Sequence, residues 1–325
     1  MQPGVPFWRG MQSMAVETSS RLFLAVLVGF LSNAAAAKHH GSCTAPLHAT
    51  YNYSSVMHPG RSSGLTFEDL PGFTRSVYYP DHALVTPESR VWTTLHGWTK
   101  GETAHIISRA SGAGFSMYLA KLQSGGSAPM PPDGIERFVF VLEGSLILER
   151  QEEKPIELFE SSYAYIPPSF HHRLRSEDGG GFLVYEQKYK PLAATENMNG
   201  ADVDGKTDEV PPFLYGITDE QPVLDTPGEM FALRKLLPQT PVYDFNIHVM
   251  DFKPGEHLFV KEVHYNQHGL MLLQGKGIYR LADKWYPVQA GDSIWMAPYV
   301  VQWYAALGSE NSRYIINKDT RPPEF

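Results

Sequence analysis

The sequence has 325 residues, of which 42% are hydrophobic and 19% charged, a composition that fits a folded globular protein and excludes collagen, a coiled coil or a wholly disordered chain. Lysine plus arginine number 27 against 35 aspartate plus glutamate, for a formal net charge of −8, and there is no basic run. We therefore expect no nucleic-acid partner and a small-molecule substrate. The single cysteine, Cys43, excludes an intramolecular disulfide and a thiolate metal cage.

The N-terminus has the features of a cleaved secretory signal peptide. Arg9 and Arg21 precede the apolar run LFLAVLVGF, which is followed by small residues. A membrane anchor and a buried helix are the alternatives, but residues 22–30 are fewer than the ~20 that span a bilayer. We assign residues 1–37 to the signal peptide and expect no membrane association after its cleavage.

A glycosylation sequon supports entry into the secretory pathway. It consists of Asn52, Tyr53 and Ser54, so we predict a glycan on Asn52. We place the protein in the lumen of the endoplasmic reticulum. Residues 321–325 carry no usual retrieval signal, which leaves secretion as the alternative.

Past residue 75 the apolar residues come in short runs of β-branched and aromatic types, separated at close intervals by turn residues. Two such runs are FVFVLEGSLILE from Phe138 and GLMLLQGKGIYRLA from Gly269. This pattern is typical of an all-β sandwich or barrel. The fold class that we predict is therefore all-β.

One layout occurs twice, on either side of a polar segment. The first copy runs GSAPMPPDGIERFVFVLEG from Gly126 and YIPPSFHHRL from Tyr165; the second runs GEHLFVKEVHYNQHGLMLLQG from Gly255 and WMAPYVVQWY from Trp295. This repetition predicts two tandem barrels. The predicted organisation is a signal peptide (1–37), an N-terminal extension (38–75), a first barrel (76–194), a linker (195–222) and a second barrel (223–325).

The second copy contains side chains that could bind a metal ion. Glu262 and His264 are two residues apart, so on an extended strand both side chains leave the same face, and His268 follows four residues later. A carboxylate and imidazoles inside a barrel would need compensation, which a divalent cation supplies. A pair of solvent-facing histidines on an edge strand is the alternative.

These segments resemble the two sequence motifs of the cupin superfamily, whose fold is the double-stranded β-helix or jelly-roll barrel. The first motif is carried by Gly255, Glu262, His264, His268 and Gly275, and the second by Gly291, Pro298 and Gln302. Glu262 stands where a histidine is usual, His268 stands at the glutamate position, and Gln302 replaces the last histidine. This permuted set closely resembles the ureidoglycine aminohydrolases, which are bicupins of purine-ureide breakdown in plants and bacteria.

The resemblance implies that Glu262, His264, His268 and Gln302 bind Mn(II). On chemical grounds, a carboxylate, two imidazoles and an amide oxygen without thiolate suit Mn(II) or Fe(II), and they leave two positions open on an octahedral ion. The resemblance also implies conversion of (S)-2-ureidoglycine and water to (S)-ureidoglycolate and ammonia in allantoin degradation, and a symmetric homo-oligomer.

Three further residues match positions that contact substrate in the resembled family. They are Tyr279, Tyr314 and Lys318, of which we assign Lys318 to the substrate carboxylate and the tyrosines to the ureido or leaving group. Tyr314 and Lys318 share parity on one strand, so both can face the barrel interior. Glu262 is expected to contact the substrate too, and either Glu262 or a metal-bound water passes a proton to the departing amine.

The first copy lacks this set of metal ligands. At the corresponding positions it has Pro131, Asp133, Arg137 and His171. We expect no metal there, a structural or interface role for this barrel, and a solvent position for His172. Two other functions remain as alternatives. One is a germin-like metal-dependent oxidase or dioxygenase, which would normally have three histidine ligands; the other is a non-catalytic storage bicupin, which generally lacks an intact ligand set.

Overall fold

The computed structural model describes residues 51–59, 72–191 and 210–320, all within one compact unit that spans residues 39–325. The predicted signal peptide at 1–37 lies outside the described residues, as does Cys43. What is described is almost entirely β-structure, so the predicted fold class is confirmed. No helix in these ranges is long and apolar enough to cross a membrane.

One short helix, α1, covers Ser54–Met57. The strands are β1 Val77–Tyr78, β2 His82–Val85, β3 Thr99–Ile107, β4 Ser116–Ala128, β5 Ile135–Arg150, β6 Ile156–Phe159, β7 Ser162–Ile166, β8 His172–Ser176, β9 Gly180–Lys188, β10 Leu214–Ile217, β11 Val223–Leu224, β12 Ala232–Lys235, β13 Phe245–Phe252, β14 His268–Gln274, β15 Lys276–Leu281, β16 Lys284–Gln289, β17 Ser293–Met296, β18 Gln302–Leu307 and β19 Ser312–Asp319. Three-residue 3-10 turns begin at Pro87, Arg109 and Thr218.

The first barrel is built around the long strand β5, which changes partners along its length. Up to Gly144 it pairs with β7 and β9, and beyond this residue with β6 and β8. Gly144 has a φ of +67°, and a Cβ atom there would lie 2.3 Å from the carbonyl oxygen of Gly179. Only glycine permits this bend, which folds the sheet over an apolar interior.

The second barrel repeats this construction. Its eight-stranded sheet has the order β1-β2-β17-β14-β19-β13-β12-β11, and the sheet β16-β15-β18 carries the continuation of β14. Gly275, with a φ of +74°, separates β14 from β15 at the place where Gly144 bends β5. Ser169 and Tyr299 are a second equivalent pair, with φ values of 59° and 64° in the turns that follow β7 and β17. The two predicted tandem barrels are thus confirmed.

The strand pairing does not follow the predicted domain boundaries. Strand β2, which we assigned to the first barrel, pairs with β17 of the second, and the Arg75 guanidinium donates two hydrogen bonds of 2.8 and 2.7 Å to Asp292. Strand β10, within the predicted linker at 195–222, pairs with β7 of the first barrel. Apolar runs indicate that a strand forms but carry no information on which edge it joins.

Residues from both barrels form one apolar cluster. Phe115 and Tyr185 of the first barrel belong to it together with Met271 and Ile315 of the second. The Tyr185 hydroxyl donates to the carbonyl oxygen of Gly269 at 3.2 Å. The cluster lies on the face of β14 opposite the second barrel's interior, because alternate residues of a strand face opposite sides.

The N-terminal extension is held between the barrels by Tyr53, which precedes α1. Its N–H donates to Glu160 of the first barrel at 3.0 Å. Its buried hydroxyl accepts a hydrogen bond of 2.9 Å from Arg313 of the second barrel. Arg313 is also buried and donates to Asp251 and Asp219, so its charge is compensated.

Candidate active site

Two of the predicted metal ligands lie on the segment between β13 and β14. Glu262 forms an isolated bridge with Gln302, the first residue of β18: the N–H of Glu262 donates to the Gln302 carbonyl at 2.9 Å, and the reverse bond measures 3.0 Å. The carbonyl of His264 accepts the N–H of Tyr299 at 2.8 Å. We expected an extended strand through Glu262 and His264, but this single bridge leaves the segment outside any regular strand.

The side chains of the four predicted ligands converge at this point. The Gln302 amide nitrogen lies 3.1 Å from Oε2 of Glu262 and 3.0 Å from Nε2 of His264. Those two atoms are 3.5 Å apart. His268, the first residue of β14, is fully buried, and its ring centre lies 4.6 Å from that of His264. The structure therefore brings together a carboxylate, two imidazoles and an amide.

Lys318 lies close to this group, and its charge affects the pKa values of Glu262 and His268. Its Nζ lies 4.0 Å from Oε2 of Glu262. Burial alone would raise the pKa of Glu262, but the hydrogen bond with His264 and the charge of Lys318 outweigh it, so the pKa lies below its usual value. Burial, with the charge of Lys318, lowers the pKa of His268 well below its usual value. Glu262 is therefore ionised and His268 neutral near pH 7.

A cavity of about 90 Å³ opens beside these residues. Its polar lining consists of Glu262, His268, Gln302, Lys318 and His248, and its apolar lining of Phe231, Leu233, Met250, Leu258, Tyr314 and Ile316. Such a volume suits only a small molecule, and the charged groups lie among apolar walls that strengthen electrostatic contacts.

The three predicted substrate residues have different places in this arrangement. Tyr314 and Lys318, on the same face of β19, both line the cavity. Tyr279, on β15, does not line it, and its hydroxyl donates to Oε1 of Gln302 at 3.0 Å. Burial, followed by the charge of Glu262, raises the pKa of Tyr279 well above its usual value, so the hydroxyl keeps its proton and positions the amide.

Sequence analysis missed one polar residue of the cavity, His248 on β13. The strand reads FNIHVMDF, in which alternation places Asn246, His248 and Met250 on one face. A histidine on the same face as Met250, which lines the cavity, was the available signal. It went unnoticed because His248 belongs to neither motif.

The first barrel presents a different set of side chains at the equivalent place. Arg137 pairs with Glu186 across β5 and β9, as His268 pairs with Lys318 across β14 and β19. The Nε of Arg137 lies 2.7 Å from Oε1 of Glu186, and its Nη1 lies 3.2 Å from Nε2 of His172. An acid, Glu186, thus stands where the second barrel has Lys318, and an internal ion pair with Arg137 fills the position.

The correspondence that we expected for the histidines is wrong. His172 opens β8 as Gln302 opens β18, and it is buried, whereas its neighbour His171 is exposed. The counterpart of Gln302 is therefore His172, not His171, and His172 is not a solvent residue. The turn before each strand fixes this register, through the equivalent residues Ser169 and Tyr299 with positive φ.

The donor set of the second barrel fits a divalent metal ion. In the described ranges, no three His, Cys, Asp or Glu side chains stand as they would around a bound metal ion. Both ring nitrogens of the buried His268, and Nδ1 of His264, lack a hydrogen bond of normal geometry, which is costly unless a ligand binds them. The amide of Gln302 turns its nitrogen toward Glu262 and its oxygen toward the Tyr279 hydroxyl. The amide would have to rotate to offer its oxygen to a metal ion, and the Tyr279 hydroxyl would then accept a hydrogen bond from the amide nitrogen.

The double barrel and the clustered ligands define the class of protein. The family model described as "Cupin domain" matches residues 248–316, which include His268 and Gln302. The chain therefore contains a cupin domain, within a fold of two barrels.

Comparisons with known proteins identify the family. The chain is 54% identical over 252 residues to the (S)-ureidoglycine aminohydrolase of Arabidopsis thaliana, covering 78% of this chain and 80% of that protein. The structure of the Escherichia coli protein Ylba superposes with a TM-score of 0.65 at 25% identity, over 78% of this chain and 97% of that one. Bacillus subtilis oxalate decarboxylase, which has Mn(II) centres, superposes with a TM-score of 0.54 at 11% identity, over 80% of this chain and 81% of that one. A likeness at this identity indicates the fold alone. The chain belongs to the (S)-ureidoglycine aminohydrolase family.

Proposed function

We propose that this protein hydrolyses (S)-ureidoglycine to (S)-ureidoglycolate and ammonia in ureide catabolism, with Mn(II) as cofactor. The observation that carries the proposal is the convergence of Glu262, His264, His268 and Gln302 beside a small cavity in a chain of this family. These four side chains would hold the metal. When bound, Mn(II) supplies a Lewis acid and a template for replacing the amine by water.

The side chains around the cavity suit the functional groups of the substrate. Its carboxylate would bind Lys318, the cation that lines the cavity. The reacting carbon would then lie beside Glu262, because Oε2 of Glu262 is 4.0 Å from Nζ of Lys318. Tyr314 would face the ureido or leaving group, and Tyr279 would act through Gln302.

Glu262 is suited to move the proton that the reaction requires. Hydrolysis breaks the bond from carbon to the amino nitrogen, forms a bond from carbon to the water oxygen, and transfers a proton from water to the departing nitrogen. The side-chain contacts of Glu262 described above, to Gln302, His264 and Lys318, all use Oε2. The lowered pKa of Glu262 leaves the carboxylate ionised near pH 7. Glu262 can therefore accept this proton and pass it on.

An ammonia-release assay on freshly prepared ureidoglycine tests the proposal. Activity is expected to disappear with a chelator and to return with Mn(II). Glu262→Ala and His264→Ala should lose bound metal and turnover, while His171→Ala, an exposed histidine of the first barrel, serves as the matched control. Activity that survives complete metal removal would contradict the metal mechanism, and an inactive, metal-loaded wild type would contradict the substrate.

The compartment and the assembly are part of the proposal. Asn52 and Ser54 of the sequon are exposed although Tyr53 between them is buried, and the side-chain oxygen of Asn52 accepts the N–H of Ser54 at 2.8 Å. We propose a glycan at Asn52, residence in the endoplasmic reticulum lumen and a homo-oligomer. Loss of an endoglycosidase-sensitive mobility shift in Asn52→Gln would support glycosylation, and light scattering would give the oligomeric state.

A further inference from the structure

His248 occupies a defined position on the inner face of the eight-stranded sheet. The strand registers place it in one cross-strand row with Lys235, Ile316 and Leu270. The next row contains Lys318, so His248 and Lys318 are diagonal neighbours on the same face. His248 lines the cavity, is only 2% exposed, and has both apolar and positively charged neighbours.

The ring of His248 has unused hydrogen-bonding capacity. Its Nδ1 atom is buried and makes no hydrogen bond of normal geometry, although a contact with the backbone of Asn246 acts on the ring. Buried polar atoms are normally satisfied, because an unmade hydrogen bond costs on the order of 1–3 kcal/mol. A leucine or phenylalanine could fill this position without that cost, so packing alone does not account for a histidine here.

The surrounding charges determine which ligand group the ring suits. Lys318 lines the cavity. Lys235 is the neighbour of His248 on β12, and its Nζ lies 2.8 Å from Oδ1 of Asn246. Burial and these two positive charges lower the pKa of His248 well below its usual value, so the ring is neutral. A neutral imidazole offers one donor and one acceptor. A carboxylate only accepts hydrogen bonds, and Lys318 can donate to it. A ureido group both donates and accepts hydrogen bonds, as a neutral imidazole does.

We propose that His248 is a substrate-binding residue that hydrogen-bonds the ureido group of the substrate, an inference that rests on the proposed function. It is not a metal ligand, and it is a further residue beside Lys318, assigned above to the carboxylate, and Tyr314, assigned above to the ureido or leaving group. Its role is selection of a carbamoyl-bearing substrate over other small 2-substituted carboxylates.

Two probes separate the ureido contact from the carboxylate contact. N-carbamoylglycine carries a ureido group and a carboxylate on one carbon, whereas glycolate carries the carboxylate without the ureido group. Their dissociation constants are measured by calorimetry on the metal-loaded enzyme. In His248→Phe, which keeps an aromatic ring but no hydrogen bond, N-carbamoylglycine should bind about tenfold more weakly while glycolate changes less than about twofold.

His248→Gln provides the matched rescue, because its amide again offers a donor and an acceptor. It should restore part of the affinity for N-carbamoylglycine. Metal content and the thermal midpoint are measured for each variant, and His248→Leu replaces His248→Phe if the latter does not fold.

The outcomes distinguish this inference from the proposed function. If the wild type releases ammonia from ureidoglycine and His248→Phe binds both probes as the wild type does, the inference is wrong and the function stands. Equal weakening of both probes would also overturn it, since that indicates a disturbed cavity. A wild type that neither turns over ureidoglycine nor binds N-carbamoylglycine would overturn both.

Discussion

Replacing Lys318 by methionine tests the electrostatic part of the site, since methionine keeps most of the side-chain length and removes the charge. Lys318 lines the cavity with its ammonium group 4.0 Å from Glu262. A hydrogen bond to a charged group contributes about 1.5–3 kcal/mol, so losing the contact to the substrate carboxylate should lower kcat/KM by roughly 10- to 150-fold. The same contact exists before and during reaction, so most of the change should be in KM.

The assay is steady-state ammonia release together with metal analysis of the purified variant. Bound metal should be unchanged in Lys318→Met, because Lys318 is not among the four ligands. Lys121→Met is the control, since Lys121 lies at the surface of the first barrel, where it pairs with partly exposed Glu102 at 3.0 Å and lies over the ring of Trp92. A decrease in kcat/KM below about threefold would refute the carboxylate assignment. If Lys318→Met lost both bound metal and turnover, Lys318 would instead act through the four metal ligands.

Three further predictions concern stability, each measured by chemical denaturation. Arg137→Met removes one partner of the buried pair with Glu186, whose atoms are 2.7 Å apart, and should cost about 3–5 kcal/mol; a loss under 1 would contradict the pairing. Burial, followed by the charge of Arg137, lowers the pKa of His172 to about 4 in the folded state. As the pH falls below about 6.5, His172 therefore binds a proton in the unfolded state but not yet in the folded state, which destabilises the fold. The wild type should lose up to about 3 kcal/mol between pH 6.5 and 4 through this group, and His172→Gln should lose correspondingly less. Asp292→Asn weakens the two hydrogen bonds from Arg75 and should cost about 2 kcal/mol; an unchanged midpoint would show that the N-terminal segment is held by strand pairing alone.

The sequence was sufficient to predict the barrels but not their strand exchange. Short β-branched and aromatic runs, repeated twice, identify each barrel because its interior requires alternating apolar residues. Val85, which we predicted in the first barrel, lies in the sheet of the second, and Leu214, which we predicted in the linker, lies in the sheet of the first. Pairing depends on the edges that remain open once the longer strands have formed, and a linear pattern does not contain that information.

The candidate site was predictable where the residues lie near motif positions. Glu262, His264, His268 and Gln302 meet in space because a single bridge joins the segment before β14 to the start of β18. His248 could not be found this way, since it reaches the cavity through the register of β13 with β19, more than sixty residues further along the chain. The indirect role of Tyr279 was hidden for a similar reason: alternation places it in the barrel, but only the structure gives its contact with Gln302.

The repeated frame accounts for why the buried polar groups are paired within the protein in one barrel and left without partners in the other. In the first barrel the buried arginine at the position of His268 extends across to Glu186 and toward His172, so each polar group has a partner within the protein. In the second barrel the shorter imidazole of His268 leaves both ring nitrogens without a partner, and the cation Lys318 comes from the opposite strand. A long side chain thus satisfies the polar groups internally, whereas a short one leaves that requirement to a ligand. His268→Arg would place the longer side chain in the second barrel, and it should pair with Glu262, lose metal binding and turnover, and keep the fold. If His268→Arg retained stoichiometric metal, as measured by elemental analysis, the proposed equivalence of the two positions would fail.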